Sequence, residues 1–264
     1  MGTNNNQIKT ILRDRVNPKS TGGWYKLIKG IQSDGVAYID TLVKVHSLYH
    51  KQIADLYHYQ ITNATATYYM WGYGSTSVSS GSGGCYTHCM MTGYAHPTRP
   101  HVLSGPAGSS AGRLTDIMAN GPWYNRHIIF TEGYNGGRYG GWFSLYNVDT
   151  GTTHYPNAID DRTRSGISLG TSKLFCMGTG VTTISPIDPF VVIYEYQLFN
   201  GTNSTNFMTE KVHLFPCILT KNIDGSLDSK GVARLKGTVG MYDSLSGKFF
   251  ANAASSGQFI AVLS

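Results

Sequence analysis

The sequence predicts an all-β protein, on three observations. Charged residues fill only 14% of the 264 positions, whereas glycine supplies 32 and tyrosine 18. That balance, with abundant Ser, Thr and Asn, suits short strands joined by tight turns and gives a helical bundle few of its usual formers. Second, from Phe190 to Phe199 the apolar positions Val192, Tyr194, Tyr196 and Leu198 alternate with Glu195 and Gln197, the period of a strand with one buried face. Third, runs of Gly, Ser, Asn and Asp punctuate the chain at short intervals, as turns require. A hydrophobic fraction of 41% excludes a disordered chain, and the length suffices to bury a core in one domain.

Taken in order, residues 1–23 form a basic arm. It opens Met1-Gly2-Thr3-Asn4-Asn5-Asn6-Gln7 and is set off by Pro18 and Gly22-Gly23. Of 21 basic and 15 acidic residues, six and one lie in the first thirty, leaving 15 against 14 beyond. The formal charge of +6 is therefore concentrated in the first thirty residues, the arm and the start of the domain, and does not point to a nucleic-acid-binding face. Ile8, Ile11, Leu12 and Val16, interleaved with Lys9, Arg13 and Arg15, give the arm an apolar and cationic side with which to order against an acidic partner. The first thirty residues hold no apolar run of signal-peptide length, and no later stretch is long enough to span a membrane as a helix.

Residues 24–264 form the β domain. Strands are expected at 25–28 and at 37–41. His46 and His50 follow in a loop, where a solvated role is expected. Residues 52–62 and 66–73 read as consecutive strands with a turn at Asn63, and 74–84 is a low-complexity loop. A hairpin is expected within 85–103, then a second loop over 104–112. Strands at 126–132 and 141–148 flank a turn region marked by Gly136-Gly137 and Gly140-Gly141. Residues 165–177, 190–199 and 211–217 complete the approach to the closing segment, and little helix is expected.

Two segments carry a family resemblance. The closing one runs from the 190–199 strand through Phe215-Pro216-Cys217, a polar loop, Gly240-Met241-Tyr242-Asp243, Ser246-Gly247-Lys248-Phe249 and Asn252. The opening one is Ser33-Asp34-Gly35, then Tyr38-Ile39-Asp40-Thr41, with Ala37 where the family usually has glutamine. Together they resemble the concanavalin A-like (laminin-G-like) domains common in bacteriophage virion proteins and in surface proteins of gut bacteria. Residues from about 62 to 165 depart from that pattern. The resemblance implies a jelly-roll β-sandwich whose first and last strands pair. It further implies a non-enzymatic virion structural protein: a fibre, tail-tip or capsid-decorating subunit. The arm would contact other virion proteins, the subunit would self-associate (a trimer by analogy), and host surface glycans would be the ligands. The competing reading is a carbohydrate-binding module or glycoside hydrolase of a gut bacterium, since relatives of this fold include glucanases.

Hydrolysis would need two carboxylates held a few ångströms apart. The only glutamates, Glu132, Glu195 and Glu210, have no paired carboxylate nearby in sequence, and the adjacent Asp160 and Asp161 would point opposite ways on a strand. Cys85, His88, Cys89, His96 and His101 bring zinc-ligand chemistry without a second ligand pair at finger spacing, so no metal or other cofactor is expected. Cys176 and Cys217 read as small core residues. The segment 222–228 reads as turn chemistry, not a calcium loop. For sugar recognition the expected residues are Trp123, Tyr124, Tyr134, Asn135, Arg138, Tyr139 and Trp142. There, flat rings alternate with amide and guanidinium groups in a Gly-rich stretch expected to be loop.

Overall fold

The computed structural model describes residues 25–46, 49–59, 67–74, 86–93, 96–106, 113–116, 126–135, 138–154, 167–176, 178–179, 187–201, 209–219 and 238–263, with backbone alone over 86–116, 132–143 and a few flanking positions. The chain opens with β1 (Tyr25–Leu27), β2 (Gly30–Ser33), β3 (Ile39–His46), β4 (His50–His58), β5 (Thr67–Gly74) and β6 (Tyr86–Gly93). The middle holds β7 (His96–Pro106), β8 (Arg113–Asp116), β9 (Arg126–Asn135), β10 (Arg138–Asn147) and β11 (Thr153–His154). It closes with β12 (Ile167–Leu174), β13 (Gly178–Thr179), β14 (Val191–Asn200), β15 (Glu210–Leu219), β16 (Val239–Asp243), β17 (Phe249–Phe250) and β18 (Phe259–Val262). No described residue is helical.

The strands form an 11-stranded sheet, ordered β11-β10-β9-β4-β14-β15-β16-β17 with β1, β2 and β18 attached, and a 7-stranded sheet ordered β3-β12-β5-β6-β7-β8 with β13 beside β5. All pairings are antiparallel except β13 with β5. Strand β14 is the hub: one side pairs β4 along nearly its whole length, and the other pairs β2 at its start and β15 at its end. The expected consecutive strands β4 and β5 lie in different sheets, whereas the expected hairpin within 85–103 is β6 with β7. Residues 104–106, expected as loop, extend β7 because they pair with β6 and β8.

One apolar core joins the sheets. Ala54, Leu56, Ile129, Tyr196, Leu198 and Leu214 from the large sheet meet Ile39, Val45, Met70, Trp71 and Leu174 from the small one. Along β14 the alternation departs from expectation. Val191 and Ile193 face this core, then Tyr196 and Leu198, while Val192 and Tyr194 turn away. The register explains the change: Ile193 opposes Leu56 and Glu195 opposes Asp55, so Tyr194 and Glu195 share one partner position in a β-bulge.

The residues of the two motifs meet in space and act as a clasp. Asn252 accepts a hydrogen bond from the Tyr38 amide at 3.1 Å and donates to the Ser256 and Gly257 carbonyls. Asp34 accepts from the amides of Val36, Ala37 and Gln258. Asp243 accepts from the amides of His213, Leu245 and Ser246, tying the β16–β17 turn to β15. Gly247 completes that turn at φ +71°, a conformation costly for a side-chain-bearing residue. The last strand, β18, pairs with β2 near the start of the chain.

Asp40 locks the entry to the small sheet. Its carboxylate accepts from Lys173 Nζ at 2.6 Å, Thr171 Oγ1 at 2.6 Å and the Leu42 amide at 2.9 Å, where Leu42 sits at φ 62°. Burial alone would raise the Asp40 pKa; the bonds from Lys173, Thr171 and Leu42 outweigh it and hold the carboxyl below its ordinary value.

Candidate functional site

The face of the large sheet turned away from the shared core carries the best-developed cluster of functional groups among the described residues. Side-chain alternation selects its members. With Ala54 and Leu56 inward, Ile53, Asp55 and Tyr57 point outward from β4. With Ile129 inward, Arg126, Ile128 and Phe130 point outward from β9. With Val212 and Leu214 inward, His213 and Phe215 point outward from β15. The bulge adds Tyr194 and Glu195 side by side, and Gln197 follows two residues on.

Half of this face is an apolar layer of Ile53, Ile128 and Phe130, flanked by Tyr146, Val148 and Phe199. Lys51 lies 4.6 Å above the Phe130 ring. The other half is polar and aromatic. Arg126 meets Asp55 through two parallel bonds, Nε to Oδ1 at 2.7 Å and Nη2 to Oδ2 at 2.5 Å. The guanidinium also stacks 4.6 Å from the centre of the Tyr194 ring, and the bond to Asp55 holds its proton more tightly than usual. Burial raises the Tyr194 phenol above its ordinary pKa. Tyr57 and Tyr59 meet edge to face at 5.1 Å, with Tyr59 43% exposed.

Glu195 sits beside this platform. Its Oε1 lies 2.8 Å from His213 Nε2 and accepts from Gln197 Nε2 at 2.8 Å, while His213 packs on Phe215 at 4.4 Å. Gly30 makes room for the arrangement: a Cβ there would fall 2.7 Å from Val192 Cγ1 and 2.8 Å from Tyr194 Cδ1. Rings, carboxylates, an amide and an imidazole on one surface can hold a polyhydroxylated ligand by stacking against its C–H face and bonding its hydroxyls.

The residues expected from sequence fall elsewhere. Tyr134, Asn135, Arg138 and Tyr139 were expected in the turn region between two strands, yet their backbone belongs to β9 and β10, as does that of Trp142, which falls in the expected 141–148 strand. Tyr139 opposes Tyr134, Arg138 opposes Asn135, and a register shift lies between Tyr139 and Trp142. The hairpin thus runs further than the glycines suggested, because only residues 136–137 separate the strands. Trp123, Tyr124 and the arm residues Ile8, Lys9, Ile11, Leu12, Arg13 and Arg15 lie outside the described residues, as do Cys85 and the 222–228 segment. His88 and Cys89 are neighbours on β6, and His96 opens β7 opposite Gly93.

One further expectation is corrected. His46 ends β3 and His50 begins β4, where His50 is fully buried beside the β14 terminus instead of solvated. Glu195, which has no paired carboxylate nearby in sequence, stands opposite Asp55 in the sheet because β14 pairs with β4 across 140 residues of sequence. Cys176 and Cys217 are buried thiols as expected, and burial pushes both up, Cys217 to about 12.

In comparisons with known proteins, no family model matches this chain and no curated protein matches its sequence.

Proposed function

We propose that the chain is a concanavalin A-like jelly-roll module that binds glycans without turning them over, working as a structural subunit of a bacteriophage virion. The observation that carries the glycan reading is the Tyr57, Tyr59, Tyr194, Glu195, Gln197 and His213 cluster on the outward face of the large sheet, where Tyr59 is exposed and Glu195 and His213 are half-buried. The virion placement rests on the resemblance of the opening and closing segments and on the basic arm of residues 1–23. Many copies on one particle would offset weak single-site affinity by avidity.

A glycan array tests the binding. The full chain should retain a defined set of oligosaccharides, and Tyr59→Ala should weaken retention roughly three- to tenfold, the worth of one stacked ring. Equal retention by Tyr57→Ala, Tyr59→Ala and the parent would remove this face from consideration. Light scattering with and without residues 1–23 tests the assembly role: an oligomer that falls to monomer on truncation supports it, and unchanged mass refutes it.

One observation favours the hydrolase alternative, the register pairing of Asp55 with Glu195. Against it, both Asp55 oxygens are engaged by Arg126, and Glu195 Oε1 by His213 and Gln197. Release of reducing ends from any array ligand, abolished by Glu195→Gln, would decide for hydrolysis.

A further inference from the structure

We infer that an ordered water molecule is built into the interior of the sandwich, bridging Gln52 of β4 and Thr131 of β9. Both side chains face the shared core. Ala54 and Leu56 point inward from β4 and Ile129 from β9, and the period of two turns Gln52 and Thr131 the same way. The register sets them directly opposite one another. Each is fully buried.

Their polar atoms are only partly matched. One end of the Gln52 amide is engaged: Tyr196 Oη donates to Oε1 at 2.8 Å, and Ser172 Oγ of the small sheet lies 3.3 Å from the same phenol. At the other end, Nε2 has no hydrogen-bond partner among the described residues, and the same holds for Thr131 Oγ1. Turning the amide over would exchange donor for acceptor and leave that end equally unmatched. A buried amide and a buried hydroxyl are costly to leave so, and two at facing positions point to one small molecule that serves both.

Opposed side chains on one face of an antiparallel pair start about 4.5–5.5 Å apart at Cβ, near enough for a single oxygen to reach both. The occupant must accept from the amide N–H groups and either donate to or accept from the hydroxyl, which water does. A metal cation would meet the hydrogens of the amide and be repelled. With the bridge in place, a line of hydrogen bonds crosses the sandwich, from Ser172 through Tyr196 and Gln52 to Thr131.

The test uses the full chain and water itself as the probe. A crystal structure that resolves ordered water should show one oxygen within about 3.2 Å of both Gln52 Nε2 and Thr131 Oγ1. In the isotopically labelled chain, the Gln52 side-chain amide should give NMR cross-peaks to a water held far longer than surface water. A direct Gln52–Thr131 bond, an oxygen touching only one of them, or none at all would overturn the inference.

Stability supplies a sign test. Thr131→Val keeps the shape and deletes the hydroxyl, so loss of the bridge should lower Tm by about 2–4 °C. A rise in Tm would mean that the hydroxyl had been buried without a partner, and would overturn the bridge. In a Gln52→Met background the cost of Thr131→Val should shrink, because the two side chains share one partner; an undiminished cost would refute the sharing. The crystal and NMR measurements on the parent stand whether or not these variants fold.

Discussion

Replacing Asp40 by Asn removes one charge from a tight network while keeping the side chain's size. Three groups lose an anionic acceptor: Lys173 Nζ, Thr171 Oγ1 and the Leu42 amide. The Lys173 side chain is only 9% exposed and that of Asp40 21%, so the pair lies between two limits. Breaking a buried pair costs about 3–5 kcal/mol and an exposed pair about 0.2–1 kcal/mol. Weighting toward the nearly buried lysine gives about 2–3 kcal/mol, a fall in Tm of roughly 5–10 °C for a chain of this size. Urea unfolding followed by tyrosine and tryptophan fluorescence should show the midpoint moving at constant slope.

The acid limb supplies an independent check. Because the folded-state pKa of Asp40 is lowered from 3.8, its contribution is fully present above the unfolded value and is lost as pH falls through the folded one. The gap between parent and Asp40→Asn should therefore narrow as pH drops below about 4. Asp40→Asn combined with Lys173→Met should recover most of the loss. A cost under roughly 0.5 kcal/mol, or a gap that widens in acid, would refute the assignment of Asp40 as the anionic lock.

Other positions give sharp expectations. Gly240→Ala would set a methyl against the Phe250 carbonyl and 2.6 Å from Phe249 Cζ, and should cost about 2–3 kcal/mol in urea unfolding. Gly30→Ala should displace Tyr194 and reduce glycan retention more than it reduces Tm, read by comparing array signal with a thermal melt. Of the four cysteines, Cys176 and Cys217 should resist iodoacetamide at pH 8 in native buffer and label in 6 M guanidinium, read by peptide mass mapping. Leu42→Asn, which fits a left-handed position and removes an exposed leucine, should raise stability by roughly 0.5 kcal/mol.

The fold was more legible in the sequence than the site, for a physical reason. Strand positions follow from local alternation and turn residues, so β4, β5, β12, β14, β15 and the β6–β7 hairpin lie close to where the pattern predicts them. The two resembling segments are legible because they are local hydrogen-bonding devices: Asp34, Asp243 and Asn252 each bind amides a few residues away. Those devices close the domain and are separate from the outward cluster on the large sheet. The outward cluster depends on long-range register, which places Arg126 beside Asp55 and Glu195 beside His213. The local hints were Tyr57-His58-Tyr59 and Tyr194-Glu195-Tyr196, in which alternate tyrosines flank a polar residue. A single bulge then reversed the facing of Val192 and Tyr194, which no count of alternating residues would reveal.

The bulge in β14 also separates what the domain needs to fold from what its surface holds. With either Tyr194 or Glu195 deleted, Val191, Ile193, Tyr196 and Leu198 would still alternate inward and the pairing with β4 would run without interruption. The strand is one residue longer than its interior requires, and the surplus is spent wholly on the outside, where two side chains stand opposite Asp55 instead of one. On the β4 edge a one-residue deletion would therefore change the outward side chains and leave the inward set in place, while on the other edge β2 and β15, which pair to either side of the bulge, would have to close up by one residue.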